Sequence, residues 1–166
     1  SKARMSRSRN DISQEKPSMA FPAAGTVRSL VILVNFADVS FITPNPQEAF
    51  TKLLNQEGYS ENGGTGSARD YFKTSSTGVF DPEFVVVGPY TLPEKRSYYG
   101  GNVGENRDVN VRDMVKHASK LAYENGVDFS QYDLDDDGFV DNVFIYYAGH
   151  NEAEGALQST IWPHRW

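Results

Sequence analysis

The chain has 166 residues, 39% of them apolar and 13% aromatic, a formal net charge of −6 and no cysteine. That length and apolar content suffice for one core, so a single folded unit is expected and a disordered chain is excluded. The missing cysteines exclude a disulfide framework and a thiolate metal site, no apolar run approaches a membrane span, and the acidic balance argues against nucleic acid as a partner.

Residues 1–20 read as a leader. Lys2, Arg4, Arg7, Arg9 and Lys16 outnumber Asp11 and Glu15 there, and no aromatics are interleaved with them, so a solvated, poorly ordered tail is expected rather than a nucleic-acid arm. No apolar signal-peptide core opens the chain, and the absent initiator Met points to processing or to a cut boundary. Residues 21–166 are expected to carry the fold. Residues 27–36 (VRSLVILVNF) have too dense an apolar centre for a one-sided strand and predict a buried, central strand covered on both faces. Asn45, Pro46 and Glu48 supply an N-cap, a first-turn proline and a third-position acid. They predict a helix to about Glu57 with Ala49, Phe50, Leu53 and Leu54 as its inner stripe.

After a loop over residues 60–66, Ser67 and Asp70 form a second capping-box pattern and predict a short helix ending near Ser76. Gly78 then turns the chain into a second strand over residues 80–87, whose Pro82 places its start at an edge or a bulge. The longest predicted helix covers residues 108–125. Val111, Met114, Val115, Ala118, Leu121 and Ala122 follow the helical period, and Asn125-Gly126 marks the end. His117 lies at the flank of that stripe and reads as a surface or boundary residue.

The next segment carries the chemistry. Asp133, Asp135, Asp136, Asp137 and Asp141 stand within nine residues around Gly138, in the pattern D-x-D-x-D-G-x-x-D. Alternate spacing lets a curled backbone aim Asp133, Asp135 and Asp137 at one point; Gly138 permits the bend, the Phe139 carbonyl faces inward and Asp141 takes the ninth position. Calcium is the expected ion, because magnesium keeps its waters and mutual repulsion makes a metal-free ordered turn costly. Asp136 is expected to face solvent. The twelfth position, where a helix-loop-helix hand needs a bidentate Glu, is Phe144, inside a predicted strand over residues 139–147. The missing ligand is then water or a group from elsewhere, with Glu152 and Glu154 as candidates beside His150 on the following loop. Strands alternating with helices predict an α/β layer structure.

Six segments together carry a family resemblance: VRSLVILVNFADVSF (27–41), GSARDYFKTSSTGVFDPEF (66–84), GPYTLP (88–93), YYGG (98–101), YDLDDDGFVDNVFIYYAG (132–149) and IWPHRW (161–166). In this order the chain resembles the N-terminal half of the catalytic domain of the immune inhibitor A-type secreted zinc metallopeptidases. The resemblance implies a zincin-like N-terminal subdomain, a twisted mixed sheet with backing helices ahead of a His-Glu-x-x-His zinc helix, and export behind a pro-segment whose end is the basic leader. It also implies protein or peptide substrates, and zinc in the full-length protein.

The family's active-site helix sets two histidines four residues apart to hold zinc, with Glu as general base. His117, His150 and His164 contain no such pair, so no catalytic residue carries over. The expected function is the N-terminal portion of a secreted, calcium-stabilised zinc endopeptidase, cut before its zinc helix and inactive alone. Residues 159–162 are then the candidate substrate-pairing strand edge, and uncovered Trp162 and Trp166 favour self-association of the fragment. The rival expectation is a non-enzymatic calcium-dependent binding or adhesion module that meets its partner through Tyr98, Tyr99, Trp162 and Trp166.

Overall fold

The computed structural model describes residues 24–104 and 108–165, so the basic leader and Trp166 lie outside the described residues. Strand β1, Gly25–Asn35, is the centre of a three-stranded sheet ordered β2-β1-β3, with β2 at Phe80–Thr91 and β3 at Val143–Tyr147. The dense apolar run explains that position: Leu30, Val31, Ile32, Leu33 and Val34 are all 0% exposed, so over this run neither face of the strand meets water. Alternate side chains serve two cores. Leu30, Ile32 and Val34 pack with Phe36, Tyr99 and helix α4, Val111–Glu124, through Met114, Ala118 and Ala122. Val31 and Leu33 pack with Phe84, Val86 and Leu54 on the opposite face.

Both strand pairings are parallel, so the expectation of a mixed sheet is corrected to a parallel one among the described residues. The reason is in the connections. Between β1 and β2 the chain forms helices α1, Pro46–Asn55, and α2, Ala68–Ser75, and between β2 and β3 it forms the short α3, Arg96–Tyr99, and α4; such helical crossovers return a strand parallel to its neighbour. The register of β1 against β2 shifts between Ile32 and Val34. There Gly88, at φ 89°, runs so close to β1 that a Cβ would lie 2.6 Å from the Leu33 carbonyl oxygen.

The outer edge of β2 is closed by side chains. Gly25 N–H donates to the Val79 carbonyl, which sets the odd-numbered residues of this strand toward β1 and the even-numbered ones outward. On the outward side Asn55 at the end of α1 imitates a neighbouring strand: its Nδ2 donates to the Phe84 carbonyl at 2.9 Å and its Oδ1 accepts the Phe84 N–H at 2.8 Å. Gln47 Nε2 donates to the Val86 carbonyl at 2.9 Å, and Ser76 Oγ accepts the Phe80 N–H at 2.9 Å. Pro82, at the edge as expected, has no N–H to satisfy.

Two helix starts differ in detail. Ser67 and Asp70 form the reciprocal capping box that their spacing predicts, whereas Asn45, at φ 47°, makes no side-chain cap. Glu48, the expected third-position cap partner, instead pairs with Lys52 at 2.9 Å one turn on. Leu54 is buried but Leu53, expected beside it, is 39% exposed. Helix α4 begins at Val111 rather than Asp108, because Asp108, at φ 48°, belongs to the loop before it.

A candidate calcium loop and a buried Asp108–His164 contact

The acidic loop lies between the 3-10 turn Phe129–Tyr132 and β3. Tyr132 is 4% exposed and anchored in the core, and its carbonyl accepts the Asp141 N–H at 3.0 Å, which brings the two ends of the loop together. Inside it the carboxylates accept main-chain N–H groups. Asp133 takes Asp137 N–H at 3.0 Å and Gly138 N–H at 2.8 Å, and Asp141 takes Leu134 N–H at 2.7 Å. Asp136 at φ 57° and Gly138 at φ 87° make the reversals that let the chain curl this tightly. Asp136 is exposed.

Asp133, Asp135 and Asp141 each bring one carboxylate oxygen within 4.8 Å of the other two. Asp137, expected in the same set, stands apart from that trio: its Oδ1 accepts the Phe139 N–H at 2.8 Å, an Asx turn. Phe139 turns its side chain outward, 65% exposed, so the strand expected from residue 139 starts only at Val143, after the loop has closed. Loss of hydration, reinforced by Asp137, Asp141 and Asp133, holds the Asp135 carboxyl above the ordinary aspartate range. An all-oxygen set of clustered carboxylates suits a hard cation of calcium's size and flexibility.

Glu154 accepts from Asn151 N–H and Nδ2 at 3.2 and 3.0 Å in the turn Glu152–Glu154, and neither Glu152 nor Glu154 belongs to the acidic trio. The histidines are dispersed. His117 Nδ1 lies 2.9 Å from the Tyr99 hydroxyl, and the exposed His150 ring is 3.8 Å from Glu154. His164 Nε2 lies 2.6 Å from Asp108 Oδ2. Among the described residues no histidine joins a group of three or more potential metal ligands, so these residues by themselves do not fit a catalytic zinc.

The end of the chain differs from the expected strand edge. Residues 159–162 form no strand; Thr160 and Ile161 are 1% and 0% exposed, and the Ile161 carbonyl accepts both the Tyr147 hydroxyl at 2.8 Å and the Glu152 N–H at 3.2 Å. Burial pushes the Tyr147 phenol up to about 12. Tyr99, expected among the exposed aromatics of a binding face, is 0% exposed and packs on Phe36, while Trp162 is 37% exposed. The role of Asp108 was not legible in the sequence, since the predicted helix ran through it; only the part-buried contact with His164, 56 positions away, reveals it.

The chain is similar in sequence to known proteins. The chain is 28% identical over 171 aligned residues to immune inhibitor A of Bacillus thuringiensis subsp. alesti, covering 82% of this chain and 25% of that protein. It is 26% identical over 174 residues to the pre-pro-metalloprotease PrtV of Vibrio cholerae serotype O1 (strain M66-2), covering 84% of this chain and 19% of the other. The chain thus spans a quarter or less of the length of these relatives. Residues 21–166 match the family pattern described as the immune inhibitor A peptidase M6, catalytic domain, and the chain belongs to that peptidase family.

Proposed function

We propose that these residues form the calcium-binding, sheet-bearing part of the catalytic domain of a secreted zinc endopeptidase that acts on protein or peptide substrates. The observation that carries the reading is the convergence of Asp133, Asp135 and Asp141 within a chain of the M6 peptidase family. Calcium would offset most of the charge of the trio and tie the end of the 3-10 turn to the start of β3, and the Phe139 carbonyl and Asp137 would complete its shell once Asp137 releases the Phe139 N–H. Zinc, when bound, supplies the polarised water that cleaves the peptide bond. Its ligands and general base are assigned to residues other than His117, His150 and His164, and this part alone is inactive. The name of the Vibrio cholerae relative, a pre-pro-metalloprotease, supports metal dependence and a leader ahead of the catalytic domain.

Isothermal titration tests the ion site. One calcium should bind per chain, Asp135→Asn should abolish most of the heat, and Asp136→Asn should leave it nearly intact. Equal losses in the two variants would contradict the ligand assignment. Zinc-dependent release of peptides from casein by the purified chain would overturn the placing of the zinc site elsewhere.

A further inference from the structure

We infer that Asp108 is a positioning residue whose carboxylate straps residues 157–164 to the loop ahead of α4, so that the two segments open together as one unit. The side chain of Asp108 is 0% exposed, and its Oδ2 accepts the Trp162 N–H at 3.0 Å and meets His164 Nε2 at 2.6 Å. Its Oδ1 is buried and accepts no hydrogen bond from the described residues. A buried carboxylate with one bare oxygen is costly, and the two donors on Oδ2 are what offset that cost. Removing either contact therefore leaves the charge poorly satisfied and favours exposure of the whole assembly.

Three further contacts bind the same two segments. Asn102 accepts the Asp108 N–H at 3.0 Å through Oδ1 while its Nδ2 donates to the Gln158 carbonyl at 2.9 Å, so one amide holds both sides. Gly100 sits so close beneath residue 160 that a Cβ there would lie 2.6 Å from the Thr160 carbonyl carbon. The fully buried Ile161 anchors the strap in the α4 core. Asp108 thus sets the course of the chain after β3. The strap does not depend on peptidase activity.

Hydrogen exchange and proton NMR on the full chain test it, independently of calcium and of hydrolysis. Asp108→Asn is the first variant, because Asn tolerates the left-handed backbone at φ 48° and keeps the side chain's shape while a neutral amide replaces the carboxyl group. Exchange should accelerate about tenfold to a hundredfold in residues 157–165 and in the loop 100–104 together, the factor expected for loss of one charge-assisted hydrogen bond, with β1 and β2 unchanged. A far-downfield imidazole proton of His164 should be present in the wild-type chain and absent in the variant. His164→Gln, which alters a partly exposed side chain and spares the Trp162 contact, should loosen the same two segments to a smaller degree. Unchanged exchange in both variants would overturn the strap, as would acceleration of residues 157–165 with the loop left protected. Uniform acceleration including β1, in His164→Gln as well, would also overturn it by showing no separate unit.

Discussion

Asp135 is held in a form the fold disfavours when no cation is present. Its carboxyl binds a proton more tightly in the folded chain than in the unfolded one, chiefly because the fold removes part of its hydration and secondarily because Asp137, Asp141 and Asp133 surround it. The metal-free fold is therefore penalised as pH rises past the ordinary aspartate range, and the full penalty is present above the raised value. In chelator at neutral pH, Asp135→Asn should be at least as stable as the wild-type chain; in calcium the order should reverse. Urea midpoints in the two buffers check this, and a less stable variant in chelator would contradict it. Asp81 behaves oppositely. The Arg69 guanidinium, bonded to it at 2.6 and 2.8 Å, holds its carboxyl below the ordinary range, so its contribution is present at neutral pH and lost as pH falls through the lowered value. The spacing of the aspartates made the loop legible in the sequence, because alternation and a central glycine are local properties. That Asp137 is engaged with the Phe139 N–H is not, since it depends on the curl of the main chain.

Two elements depend on side chains that replace main-chain partners. Ser67 caps α2 by accepting the Asp70 N–H at 3.2 Å, and Ser67→Ala should cost about 1 kcal/mol of stability in denaturant unfolding. Asn55 has the larger role, since its amide serves both the N–H and the carbonyl of Phe84. Asn55→Ala should cost about 1–3 kcal/mol and expose an unprotected strand edge. Sedimentation should then show concentration-dependent association that the wild-type β2 edge resists, and a monomeric variant of unchanged stability would refute the capping role. The capping box of α2 was legible because both partners lie within one turn. The capping of β2 was not, because it joins residues 29 apart and needs the helix already packed on the sheet.

At the scale of the molecule, a central strand buried on both faces over residues 30–34 divides two cores, and both depend on it. Ile32→Ala should cost about 2–5 kcal/mol, because close packing on both sides of β1 prevents collapse around the void. The apolar density of residues 27–36 made this strand and its burial on both faces readable directly. The direction of the sheet and the course of residues 157–164 were not, since they follow from crossovers and from the distant Asp108–His164 contact. In the proposed function, a calcium ion at Asp133, Asp135 and Asp141 joins the 3-10 turn to β3 and so stabilises the whole fold. The most direct test of this central claim is the melting temperature in calcium and in chelator. At about a hundred times the dissociation constant, calcium should add roughly 2.7 kcal/mol and raise the midpoint by roughly 5–10 °C, while equal midpoints in the two buffers would contradict the account.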